Sequence, residues 1–223
     1  MNKDWSDLAA NPEAFGEKEK QLWLKVEPIL HELLDELKKN GKIETVYVRS
    51  EMIGLGAVIE NLNNCSRNHN LLLHVSDNYE AFLEGVKPFG FDEPLSVQLF
   101  LETAALFTIL TTETFRTLLL FHSKGLDPSL PLGPMLRRLE DSDAAPYAVA
   151  KLRPFMDIEF RNALAHGLFG TEAKKIVLYK NAKFEVLDRL ELADFMMRTK
   201  EQNVLTQCFI NVITEKKRSG FFS

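Results

Sequence analysis

Residues 157 to 167 read Asp157-Ile158-Glu159-Phe160-Arg161-Asn162-Ala163-Leu164-Ala165-His166-Gly167, and the polar members of that run can do chemistry together. A helix turns about 100° per residue, which sets Asp157 one turn from Arg161 and Asn162 one turn from His166. Arg161 and His166 stand about 140° apart, so they do not stack, but a long arginine can reach a ligand that the imidazole also touches. Histidine titrates near neutrality and can exchange the proton of a 2′-hydroxyl or a leaving oxygen. Arginine stays charged, and its fork matches phosphate oxygens where charge builds in a transition state. Asparagine adds a neutral donor and acceptor that can orient ribose, phosphate or imidazole. Together these suit phosphodiester cleavage without a metal, with Asp157 holding the Arg161 guanidinium in place. The plainer reading of the same residues is an Arg161–Asp157 ion pair with His166 closing a helix C-terminus, where a cation is favourable.

Other reactive groups are sparse. Glu102, Glu113 and Arg116 lie in a long apolar stretch, where a charge must be paired or face a cleft, so they form structural pairs or line the site. His31, His69, His74 and His122 show no His-x-x-x-His or Glu-x-x-His spacing, so no metal and no cofactor is expected. Of these, His122 alone lies near the end of that stretch. Cys65 and Cys208 are far apart and read as free thiols of a reducing cytosol. Gly54-x-Gly56 lacks the surrounding phosphate-loop pattern and reads as helix packing. Ser123 has no base and orienter in a recognisable triad.

The stretch 157–168 resembles the Arg-Asn-x-x-x-His motif of HEPN domains (higher eukaryotes and prokaryotes nucleotide-binding), with a looser likeness of helical architecture over about residues 95–215. The resemblance implies a helical bundle in which Arg161, Asn162 and His166 take the catalytic positions of a metal-independent endoribonuclease. It further implies a homodimer that joins two motif helices in one cleft, RNA or a nucleotide as ligand, and a toxin or defence role with an antitoxin or other protein partner. Some family toxins carry a tyrosine two residues after the histidine as the target of a nucleotidyltransferase antitoxin. Here that residue is Leu168, which argues against inactivation by that route.

The elements that must position these residues follow from periodicity. Residues 1–16 form a polar arm. From Glu17, Leu22, Val26, Ile29, Leu30, Leu33, Leu34 and Leu37 recur at three- and four-residue spacings, predicting a helix that Pro28 bends or splits and Asn40-Gly41 ends. Ile43 to Leu62 reads as helix, and Asn61 to Asn70 as a polar loop. After Pro94 a long apolar helix runs to about Ser123. Gly125 to Pro134 is a rigid connection between two halves, Met135 to Leu139 a short helix, and Glu140 to Asp143 a solvated turn. Pro146 opens the motif helix, which runs to Gly167 or Gly170. Lys175–Tyr179 and Lys183–Leu187 form a β-hairpin around Asn181-Ala182. Asp188-x-x-Glu191 resembles a capping pair for a last helix, whose inward positions include Leu192, Phe195, Met196, Val204, Leu205, Cys208, Phe209 and Val212. The expected fold is mainly α: an antiparallel helical bundle of HEPN type with a small β-hairpin before the last helix. The chain divides into an N-terminal helical region of unassigned role (1–94) and the HEPN-like bundle (95–223), packed as one unit.

Composition bounds the reading. With 223 residues, 45% hydrophobic and 26% charged, the chain can bury a core and is not broadly disordered. The polar, acidic Met1-Asn2-Lys3-Asp4-Trp5-Ser6-Asp7 has no apolar core of a signal peptide, and a cytoplasmic protein is expected. Leu95 to Thr112 is apolar enough to raise the question of a membrane span. It carries Gln98 and Glu102, and a mid-span charge costs about 3 kcal/mol on insertion scales, so no membrane is expected and the stretch reads as a central bundle helix. The formal net charge is −5, unlike a typical nucleic-acid binder. Residues 1–111 carry 10 basic and 18 acidic side chains and residues 112–223 carry 17 and 14, which places the motif in the basic half. Two functions stay open: a dimeric endoribonuclease, and a non-catalytic module that binds a nucleotide, RNA or a protein through the same cleft. The acidic first half favours the second, because uncovered negative charge repels RNA.

Overall fold

A computed structural model of the protein describes residues 15–43 and 94–222. The readings of the N-terminal arm to residue 14, of 44–62 and the loop 61–70, and of Gly54-x-Gly56, Cys65, His69 and His74 lie outside them. Among the described residues the protein is a bundle of six α-helices with a small three-stranded antiparallel sheet before the last helix.

Helix α1 (Glu17–Lys39) buries Trp23, Val26, Leu30, Leu33, Leu34 and Leu37, the three- and four-residue spacing of an amphipathic helix. Pro28 does not split it. Proline withholds an amide from the carbonyl of Leu24, and both residues are exposed, so water can satisfy that carbonyl. Gly41 takes φ +64°, and the Lys42 amide donates back to the carbonyl of Leu37, closing the helix.

Helix α2 (Pro94–His122) and helix α6 (Leu192–Arg218) are the two long members. The stretch Phe100–His122 is long and apolar enough to cross a membrane, and most of it is buried inside the fold. Thr108, Thr112, Thr114 and Thr117 turn their hydroxyls onto carbonyls one turn back, which lets polar side chains sit in an apolar helix. Thr206 of α6 donates to the carbonyl of Thr111 (3.0 Å), tying the two helices together.

Helices α3 (Leu132–Asp141) and α4 (Pro146–Leu152) follow, and α4 lies against α1. The motif helix is not continuous from Pro146. Pro154 has no amide proton for the next α-turn, so the chain passes through a 3₁₀ turn (Arg153–Phe155) and an extended Met156. Helix α5 (Ile158–Ala165) then begins afresh, capped by Asp157.

Strands β1 (Phe169–Glu172), β2 (Lys175–Tyr179) and β3 (Val186–Leu190) form a meander. The expected hairpin is therefore one strand short. β1 and β2 meet through Ala173 and Lys174, both at positive φ (49° and 66°), the geometry of a two-residue hairpin turn. β3 starts three residues later than expected and takes in Asp188, which is consequently a strand residue and not a helix cap. The α6 N-cap is Glu191, with no side-chain capping bond.

Two apolar cores result. Trp23 to Leu37 of α1, the C-terminal part of α2, residues 126–156 and Val204–Ile213 of α6 build the first. Phe100–Ala105 of α2, Phe160, Ala163 and Leu164 of α5, Ile176 and Leu178 of β2, Leu190 and Phe195 build the second. Both α2 and α6 run through the two cores.

Candidate functional site

Helix α5 has only eight residues, and its own hydrogen bonds cannot hold it: helices this short are marginal in water. Its fixed position comes from packing and from three polar attachments. Phe160, Ala163 and Leu164 face the second core, with Phe160 set edge-on to Phe195 at 5.4 Å between ring centroids.

The first attachment is at the N-terminus. Asp157 Oδ1 accepts from the Phe160 amide (3.1 Å), satisfying a donor that helix starts leave orphaned. Asp157 Oδ2 accepts from Arg198 Nε (2.8 Å), and Arg198 also donates through Nη1 to Asp188 Oδ2 (2.7 Å) while lying 4.8 Å from the centre of the Phe160 ring. Asp157 is thus engaged by α6, and the expected Asp157–Arg161 pair does not form. Arg198 and Asp188 were not anticipated as members of this cluster. The only signal was an arginine interrupting the apolar run Phe195-Met196-Met197.

The second attachment is Arg161. Its Nη2 donates to Glu113 Oε1 of α2 (2.5 Å), and the two side chains are 18% and 23% exposed. Glu113 Oε2 accepts from Arg116 Nε (2.7 Å), and Arg116 Nη1 donates to the carbonyls of Pro128 (2.9 Å) and Leu130 (3.3 Å). One carboxylate therefore lies between two guanidinium groups. Arg161 Nη1 also donates to Asn162 Oδ1 (3.2 Å), and its buried Nε has no hydrogen-bond partner. Of five guanidinium N–H groups two are engaged, and each terminal nitrogen keeps one outside these bonds.

The third attachment is the C-terminal close. His166 is the C-cap, Gly167 takes φ +65°, and the amides of Gly167 and Leu168 return to the carbonyls of Leu164 (3.2 Å) and Ala163 (2.8 Å). That double closure fixes the backbone beneath the imidazole. Asn162 and His166 are exposed, and the His166 ring makes no hydrogen bond or ion pair among the described residues.

Arg161, Asn162 and His166 are thus brought to one helix, with Glu113 and Arg116 beside Arg161. Glu102 is not among them: it is exposed and accepts from Gln98 (2.8 Å) on its own helix. A cleft of about 680 Å³ lies elsewhere, lined by Lys18, Gln21 and Lys25 of α1, by Asp157 and Glu159, and by Glu201 of α6. Burial raises the Glu201 carboxyl above the usual carboxylate range, against the opposing pull of Arg198. Arg161, Asn162 and His166 do not line it. His122 is buried at the end of α2, stacked 4.8 Å from Phe222, and burial lowers its pKa to about 4. Burial likewise pushes the Cys208 thiol up, leaving it an inert core group.

Comparison with family models, with curated proteins and with solved structures finds no match to this chain.

Proposed function

We propose that this protein is a HEPN-type, metal-independent endoribonuclease that acts as a homodimer, with Arg161, Asn162 and His166 as its catalytic residues. The observation that carries the reading is the contrast along α5. Arg161 is anchored at one edge by Glu113 and donates to Asn162 Oδ1, while His166 is exposed and makes no hydrogen bond or ion pair among the described residues. In the proposed reaction the 2′-hydroxyl of a ribose attacks the adjacent phosphorus. The P–O5′ bond breaks, leaving a 2′,3′-cyclic phosphate and a 5′-hydroxyl. His166 moves a proton at the attacking or leaving oxygen, and the remaining N–H groups of Arg161 take the charge that grows on the non-bridging oxygens. A two-fold axis beside α5 would supply the second histidine or arginine that one helix, with its 140° separation, cannot aim at one phosphorus.

A second reading, a non-catalytic module binding a nucleotide, RNA or protein, is favoured by the engagement of Arg161 with Glu113, a structural ion pair in its own right. Cleavage of labelled single-stranded RNA in excess chelator separates the two. The parent should cleave, and His166→Ala should lose about 10²- to 10⁴-fold in rate while remaining a folded dimer that retains RNA on a filter. Equal rates for parent and variant, or activity that needs added Mg²⁺, would remove the proposed machinery.

A further inference from the structure

The loop joining β2 to β3 holds a bulky residue in a backbone conformation it disfavours. Phe184 has φ +58°, the left-handed region, where a large side chain is an outlier. The conformation is enforced from several sides. The Phe184 amide donates to the carbonyl of Asn181 (3.0 Å), the Lys183 amide to Asn181 Oδ1 (3.0 Å) and the Lys180 amide to the carbonyl of Glu185 (2.8 Å). Asn181 Nδ2 closes the loop on Glu185 Oε2 (3.2 Å). The outcome is a phenylalanine 68% exposed, braced edge-on by Tyr179 at 5.3 Å and 89°. Lys183 precedes it in the chain and is exposed, with no ion pair among the described residues, whereas Lys180 is paired with Glu185 (3.4 Å).

The position of this tip gives it a role. The Tyr179 amide donates to the carbonyl of Leu168 (2.9 Å), two residues after His166. The sheet end that carries the exposed ring is therefore the end that abuts the C-terminus of α5. An exposed aromatic ring with a lysine next to it in the chain is a combination that can hold an unpaired base and its phosphate, because every base has a π-face and every linkage a charge.

We infer that residues 180–185 form an accessory contact for single-stranded RNA, in which one base stacks on Phe184 and Lys183 meets the neighbouring phosphate. The inference rests on the ribonuclease reading of α5 and adds to it a platform that fixes where the strand lies relative to His166.

The test uses the full chain with His166→Ala, so that the probe stays intact, and a fluorescein-labelled oligouridine read by anisotropy at several salt concentrations. Adding Phe184→Gly removes the ring and relieves the positive φ. Binding should weaken roughly 5- to 150-fold, the range of one lost base–aromatic stack, with a melting temperature no lower than that of the background. Phe184→Trp should restore binding, and Lys183→Gln should lower the slope of log affinity against log salt by about one. If the His166→Ala background binds no RNA, the ribonuclease reading itself fails and this contact with it. If it binds and Phe184→Gly binds equally well, the platform alone is refuted. If Phe184→Gly keeps RNA affinity but loses the dimer by sedimentation, the tip is a protein contact and the inference is overturned.

Discussion

Glu113→Gln removes one negative charge from between two guanidinium groups while preserving side-chain length and one acceptor oxygen. Arg116 keeps the carbonyls of Pro128 and Leu130, so the substitution falls mainly on Arg161, whose other partner is the neutral Asn162. A hydrogen bond to a charged group contributes about 1.5–3 kcal/mol, and a fully buried pair broken on one side costs about 3–5 kcal/mol. The Arg161 and Glu113 side chains are 18% and 23% exposed, so solvent screens part of that and the direct coupling should be about 1–2 kcal/mol. The measurement is a double-mutant cycle of Glu113→Gln and Arg161→Gln by urea unfolding. Each single variant should lose about 2 kcal/mol, and the double should lose clearly less than the sum. On the ribonuclease proposal, cleavage by Glu113→Gln should fall roughly tenfold or more with His166 untouched, because misplacing a phosphate-binding group by about an ångström is costly. Losses that add to within about 0.5 kcal/mol would mean that Glu113 does not hold Arg161 in solution, and the account of how α5 is fixed would be wrong.

Two further outcomes follow from neighbouring groups. Asp157→Ala should cost about 1–2 kcal/mol by thermal unfolding, from the lost cap and the loosened Arg198, and Asp157→Ser should recover the cap's share; equal loss for both would dismiss the cap. His122 is lowered from 6.5 to about 4 in the folded protein, so the unfolded chain binds more protons between those values. Its contribution is complete above pH 6.5 and is lost as the pH falls toward 4, by about 3 kcal/mol in total. His122→Phe, which keeps a ring against Phe222, should flatten that part of the stability curve, and an unchanged slope would assign the acid sensitivity elsewhere.

What was legible in the sequence was set by spacing. The α1 stripe, the long apolar helix and the inward face of the last helix depend on residues three and four apart, and all three are found. The Arg161-Asn162-x-x-x-His166 run was equally visible because it is local. Distant partners were not. Glu113 had to be paired or face a cleft, yet its partner Arg161 is 48 residues away, and Asp157 takes Arg198 across 41 residues in place of the arginine one turn along. β1 escaped notice because Ala173-Lys174 turns where Asn-Gly would be expected, and because Gly170 reads as a helix stop. At Pro154 an apolar pattern continues on both sides, but a missing amide interrupts the helix whatever the pattern.

The passage of α2 and α6 through both cores has a consequence for how the molecule opens. Neither core can come apart while the other stays whole, so the amides in the middle of these helices should exchange with solvent only through global unfolding. The eight-residue α5 is different. Its amides can open locally once the Glu113 and Arg198 attachments release, at a free energy well below the global value. Hydrogen exchange should therefore divide the protein into a slow frame, made of two shared helices, and a faster rider that carries His166. Under the proposed ribonuclease reading, adjustment of the histidine by a fraction of an ångström is thereby separated from the elements that keep the protein folded.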